Sequence, residues 1–173
     1  MTHNRVVRLF FFLYRMTAEY SLLMQKTKDG SAVKSSLSDF GFAVCDIPWP
    51  DEEVQEVAVR EWPGVHGEDA YIPPGGLKLQ AYDVEIEFCY KGAVNTANTK
   101  YNALRDYLMG IAGDGAELRI YDPYWKRGRT KVHLKKIADR DPHRSNADEV
   151  LKMKATFRVA DPKTEITLNY VGD

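Results

Sequence analysis

Leu151-Lys152-Met153-Lys154-Ala155-Thr156-Phe157-Arg158-Val159 alternates apolar and polar side chains without a break. Successive side chains of an extended chain point to opposite faces. A period of two therefore puts Leu151, Met153, Ala155, Phe157 and Val159 on one face, and three cations and a threonine on the other. The stretch predicts a strand with one buried and one wet face. Residues 82–90 repeat the pattern, with Tyr82, Val84, Ile86, Phe88 and Tyr90 alternating against Asp83, Glu85, Glu87 and Cys89. Shorter strands are expected over residues 20–26, 33–37, 42–47, 54–61, 117–122, 130–138 and 165–171. Asp29-Gly30 fits a hairpin turn between the first two of these.

Between the long strands the period changes. From Thr99 to Ala112, Tyr101, Leu104, Leu108 and Ile111 recur at spacings of three and four, which predicts one amphipathic helix. Thr96, Asn98 and Thr99 offer N-cap oxygens, and Gly113 with Asp114-Gly115 supplies the stop. Two loops are expected. Residues 62–76 hold three prolines and four glycines, too many breakers for a regular element. Arg140 to Ala147 reads as a hairpin tip, with Asp141-Pro142 and Ser145-Asn146 as turn residues. A lone helix among antiparallel strands excludes βαβ alternation. The expected fold is mainly β, an antiparallel sandwich or barrel of about eight strands flanked by one α-helix.

The chain has 173 residues, a length that suits one domain, expected over residues 16–173, with residues 1–15 as an extension of uncertain role. Residues 6–14 are apolar apart from Arg8, too short to cross a bilayer, which takes about 20 apolar residues as a helix. No small-x-small cleavage site follows to make them a secretory signal, and Met16 could equally begin the protein. With 24 Lys and Arg against 25 Asp and Glu, the net charge of -1 gives no global field for gathering polyanions.

Residues with reactive chemistry do not assemble into a known motif. None of His3, His66, His133 and His143 has a metal-binding spacing, and His66-x-Glu68 lacks the Pro-Cys-x-x-Cys that would complete a zinc deaminase site. Gly-x-Ser-x-Gly, Walker A and Gly-x-Gly-x-x-Gly signatures are absent. Cys45 and Cys89 are too few for a disulfide scaffold or a four-thiolate zinc site, although one bridge is compatible with them. No enzyme activity, cofactor or metal is expected.

Charge is unevenly placed. Residues 51–69 carry seven acids against Arg60 alone, whereas residues 126–136 carry six bases and no acid. Tyr124 and Trp125 adjoin the basic run, a combination that can also bind nucleic acid through phosphate contacts and stacking. If the two segments lie on different surfaces of one subunit, contacts between copies are heterologous and close into rings or run on as filaments. The expected interface comprises Glu68, Asp69 and Tyr71 on one side, and Tyr124, Trp125, Lys126, Arg127 and Arg129 on the other.

Taken in order, the segments resemble the tail-tube and distal-tail proteins of long-tailed bacteriophages and prophages. The resemblance is carried by Gly67-Glu68-Asp69-Ala70-Tyr71-Ile72-Pro73 with Leu77 to Tyr90, then by the Asn/Thr-rich lead into the helix Tyr101 to Ile111. Glu117-Leu118-Arg119-Ile120-Tyr121-Asp122-Pro123-Tyr124-Trp125 follows, and residues 151–162 close it. The match covers roughly residues 37–163 and implies a structural subunit of a hexameric ring around a channel, joining tail tube to baseplate or tip. Its implied partners are further copies and other tail proteins, with nucleic acid only in passage. The implied location is the virion tail, assembled in the bacterial cytoplasm. The opposing reading is a small monomeric binding module for nucleic acid or carbohydrate.

Overall fold

The computed structural model describes residues 20–64 and 66–171; the amino-terminal extension lies outside them. Among the described residues nine strands and one helix are formed: β1 (Leu23–Lys26), β2 (Lys34–Ser35), β3 (Phe42–Asp46), β4 (Val59–Glu61), β5 (Glu68–Ala70), β6 (Tyr82–Ala93), α1 (Ala97–Met109), β7 (Leu118–Asp122), β8 (Arg127–Arg144) and β9 (Asp148–Val159). Seven strands form one antiparallel sheet in the order β2-β1-β7-β8-β9-β6-β3, and β4 pairs with β5 in a ribbon of its own. The large sheet keeps two edges, β2 and β3. The fold is sandwich-like and is not a closed barrel.

The alternation read from sequence sets the register. Tyr82 pairs with Val159, Ile86 with Ala155 and Tyr90 with Leu151, so the apolar positions of β6 and β9 share one face. Val84, Ile86, Phe88, Met153, Ala155 and Phe157 are buried there with Leu104 and Leu108 of α1. The opposite face is an ionic ladder. Lys152 meets Glu87 at 3.5 Å, Lys154 meets Glu85 at 3.1 Å, and Arg158 meets Asp83 at 3.2 Å.

Helix α1 starts and stops earlier than its spacing suggests. Gly110, at φ 68°, ends it in the left-handed conformation, so Ile111 falls in the following turn and is exposed. Thr96 occupies the N-cap position, but its hydroxyl bonds the Ala93 carbonyl and the Tyr90 hydroxyl. The first helical N–H, of Ala97, donates instead to the Glu149 carboxylate at 3.1 Å. At the other end the Lys26 ammonium, 2% exposed, donates to the carbonyls of Tyr107 and, at 2.5 Å, Gly115. A carboxylate and an ammonium from distant strands thus complement both ends of the helix dipole.

Three further expectations are corrected. Residues 68–70 form β5 inside the breaker-rich loop, because Gly64 and Gly67, both at positive φ, confine the turn between β4 and β5. Asp141-Pro142 is not a turn. β8 continues to Arg144 past a register shift between Ala138 and Asp141, and Pro142 pairs with Leu151. Beyond Val132 β8 has no β7 partner on its other edge, where a missing proline N–H is tolerated. Residues 165–171 alternate but form no strand, only the bridge between Arg129 and Glu165. At Arg129 β8 pairs with β7, but β9 joins its other side only from Val132 on, so Glu165 takes up that short free stretch of edge and the segment pairs no further.

Candidate subunit interface

Two exposed features carry the site residues expected from sequence. The first is an arm over residues 53–80. Its base is laddered by Gln55 N–H to the Lys78 carbonyl and Gln80 N–H to the Glu53 carbonyl, both 2.7 Å, and its outer part is the β4–β5 ribbon. An isolated two-stranded ribbon is marginal in water. This one is also frustrated, since Glu61 stands directly opposite Glu68, a like-charge pair that weakens the ribbon. Arg60 faces Asp69 and lies 3.8 Å over the Trp62 ring. Tyr71 and Ile72 follow, 64% and 54% exposed.

The second feature is a knuckle at the turn from β7 to β8. Asp122, buried at the end of β7, accepts from the backbone N–H groups of Tyr124 (2.9 Å) and Trp125 (3.3 Å) through Oδ1, and from Trp49 Nε1 (3.1 Å) through Oδ2. One carboxylate therefore fixes the turn and ties it to the root of the arm. Tyr124 and Trp125 meet edge to face at 5.4 Å and point outward, 62% and 64% exposed. Lys126 completes the turn at φ 53°.

The expected residues do not all share this exposure. Arg129 is 1% exposed and ties three segments together, bonding Tyr82 Oη (3.2 Å), Glu52 (3.3 Å) and Glu165 (3.2 Å). Burial depresses its pKa, but the Tyr82 and Glu165 hydrogen bonds more than offset that and hold it above the ordinary value. Arg127 also bonds Glu52, at 3.1 Å, and lies 5.3 Å over the Trp49 ring. The acidic and basic segments therefore meet in part within one chain. Lys135 is likewise held by Asp83, at 2.6 Å. Glu68, Asp69, Tyr71, Tyr124, Trp125 and Lys126 remain on the surface. Sequence reasoning missed Trp49, Glu52 and Asp122, which build the knuckle; Asp122-Pro123 is the one local signal, a side chain placed to accept from the turn that follows.

No catalytic constellation forms among the described residues. A depression of about 500 Å³ between α1 and the β8–β9 hairpin is lined by Tyr101, Arg140 and Glu149. Both of its charged groups are occupied, Arg140 over the Tyr101 ring at 5.0 Å and Glu149 at the helix end. Cys45, Glu87 and Cys89 lie within metal-ligand reach of one another, but Cys45 and Cys89 are joined as a disulfide. His66 and His133 are exposed, and His143 contacts Asp141 at 2.9 Å. No helix among the described residues is long and apolar enough to cross a membrane.

No family model matches the chain, and no curated protein matches it. Among solved structures it is similar to the Dit (gp 19.1) protein of phage SPP1, described as a paradigm of the hub adsorption apparatus in phages infecting Gram-positive bacteria. The identity is 16% and the TM-score 0.49, over 82% of this chain and 50% of that one. The chain thus matches half the length of the Dit chain. It is also similar to a subunit from the tail of an empty GTA particle, solved with C6 symmetry, at 12% identity and a TM-score of 0.35, over 90% of this chain and 99% of that one.

Proposed function

We propose that the protein is a non-enzymatic structural subunit of a long-tailed phage or prophage tail, which works by assembling with copies of itself into a ring, six-membered on the family resemblance. In the virion tail such a ring joins tube to baseplate or tip and docks other tail proteins on its rims. Assembly in the bacterial cytoplasm and a single working domain belong to the same reading. The observation that carries it is the pairing of two unlike exposed features on one chain. The arm offers acids and aromatics on a ribbon whose Glu61–Glu68 pair calls for an external cation. The knuckle offers Tyr124, Trp125 and Lys126 on a turn held rigid by a buried aspartate. A contact between unlike patches on identical chains is heterologous, and closes only as a ring.

The nucleic-acid reading loses ground for a specific reason. Of the six bases between Lys126 and Lys136, Arg127, Arg129 and Lys135 are already bonded to acids of the same chain. Fewer cations remain to release counterions from a phosphate backbone.

Multi-angle light scattering at rising concentration, alone and with tail partners, tests the reading. Trp125→Ala with Tyr124→Ala is expected to abolish oligomers while leaving the fold intact by circular dichroism. Lys126→Glu is expected to weaken assembly, and Glu68→Lys in the same chain to restore it. A strict monomer under every condition, partners included, overturns the proposal.

A further inference from the structure

We propose that the Cys45–Cys89 disulfide is a reversible redox staple, closed in oxidising and open in reducing surroundings, which sets how firmly the second half of edge strand β3 is held. The bond lies on an unusual side of the sheet. Cys89 shares its register with Asp83, Glu85 and Glu87 on the charged face of β6, whereas Phe88 and Tyr90 point into the core. Its partner Cys45 is the residue at which the β3–β6 ladder slips, between Val44 and Asp46. Among the described residues β3 is the last strand of the sheet and pairs with β6 alone. Phe42, Ala43 and Val44 hold the first half of β3 through regular pairing and a buried ring. At the slip, the covalent bond does what the broken ladder does not.

Access is asymmetric. Cys89 is 2% exposed, whereas Cys45 is half-buried and reachable from the wet face. A small thiolate such as glutathione therefore attacks the Cys45 sulfur. The S–S bond breaks, a mixed disulfide forms at Cys45, and Cys89 leaves as a thiolate that takes up a proton. A second glutathione displaces the first, giving two protein thiols and one glutathione disulfide. Closure is the reverse: the protein dithiol passes two electrons and two protons to glutathione disulfide, which becomes two glutathione molecules. A bridge with one sulfur reachable from the wet face is open to exchange, whereas one sealed in a core resists the glutathione pool. None of this depends on ring formation.

The full chain is equilibrated in glutathione-rich and in glutathione-disulfide-rich buffer, then alkylated for intact mass and followed by amide hydrogen exchange. Two alkylatable thiols are expected in the first buffer and none in the second, reversibly. Amides of residues 44–47 are expected to exchange roughly tenfold or more faster in the reduced form, with β8 and β9 unchanged. Cys45→Ser is expected to match the reduced wild type and ignore the buffer; should it fail to fold, the wild-type comparison still decides. The proposal is overturned if the bridge survives millimolar glutathione in the native protein, if the thiols stay free in oxidising buffer, or if exchange at residues 44–47 is the same in both states.

Discussion

Lys26 shows how one side chain can hold two elements together. Its alkyl stem comes from β1 and its ammonium lies under the carboxyl end of α1, 3.7 Å from Asp114 and 4.5 Å from the centre of the Tyr107 ring. Desolvation lowers its pKa, and Asp114 opposes the shift. Replacing it by Met keeps the apolar stem but strands two carbonyls and a carboxylate. Lys26→Met is expected to destabilise the protein by about 2–4 kcal/mol in urea unfolding; a neutral result would mean that water replaces the ammonium. Asp83 has the opposite sign. The Lys135 hydrogen bond, with help from Arg158, holds its carboxyl below the ordinary value of 3.8. The folded state thus binds this proton less readily than the unfolded chain, so the contribution is full above about pH 4 and lost as pH falls through the depressed pKa. The group is a third exposed, so the effect is modest. Asp83→Asn is expected to lower the plateau modestly and to flatten the acid limb of stability against pH.

At the scale of elements, boundaries are set by backbone conformation and by what lies next to it. Gly110 combines a left-handed φ with a tertiary neighbour: a Cβ there would stand 2.3 Å from the Gly115 carbonyl oxygen. Gly110→Ala is expected to cost about 2–3 kcal/mol, more than the 1–2 kcal/mol of a left-handed alanine alone, because the loop that receives Lys26 must also shift. Thermal unfolding measures it, and a loss of only about 1–2 kcal/mol would show that the loop gives way freely. Helix periodicity was legible in sequence, since it depends only on residues a turn apart. Thr96 does take the N-cap position, but its side chain does not cap, because Glu149, 52 residues from Ala97, accepts the first helical N–H. In the same way the breaker count in residues 62–76 described the turn well and hid β5, whose three residues contain no glycine or proline.

At the scale of the molecule, the charge pattern decides what can associate. The sheet's wet face neutralises itself, β9 cations against β6 acids, and Glu52 takes up both Arg127 and Arg129. Glu61, Glu68 and Asp69 of the arm and Lys126 of the knuckle stand outside these pairs and stay on the surface. Self-association through them is therefore expected to weaken as salt rises toward 1 M, where charges farther apart than about 3 Å are screened. Sedimentation at several salt concentrations measures this, and association that strengthens with salt would assign the contact to Trp125 and Tyr71 alone.

Alternation and spacing by themselves determined the two long strands, their buried faces, the helix and the antiparallel class, because these follow from side-chain direction along a few neighbouring residues. They also picked out the acidic and basic segments and the exposed aromatics. Only the tertiary structure decided that Glu52 bonds arginines 75 and 77 residues away, that Arg129 is buried, that Cys45 reaches Cys89, and that residues 165–171 join β8 through a single bridge at Arg129. The physical reason is common to all four: pairing across the chain depends on which strand edges and charged partners the folded sheet leaves open, and local sequence carries no record of that.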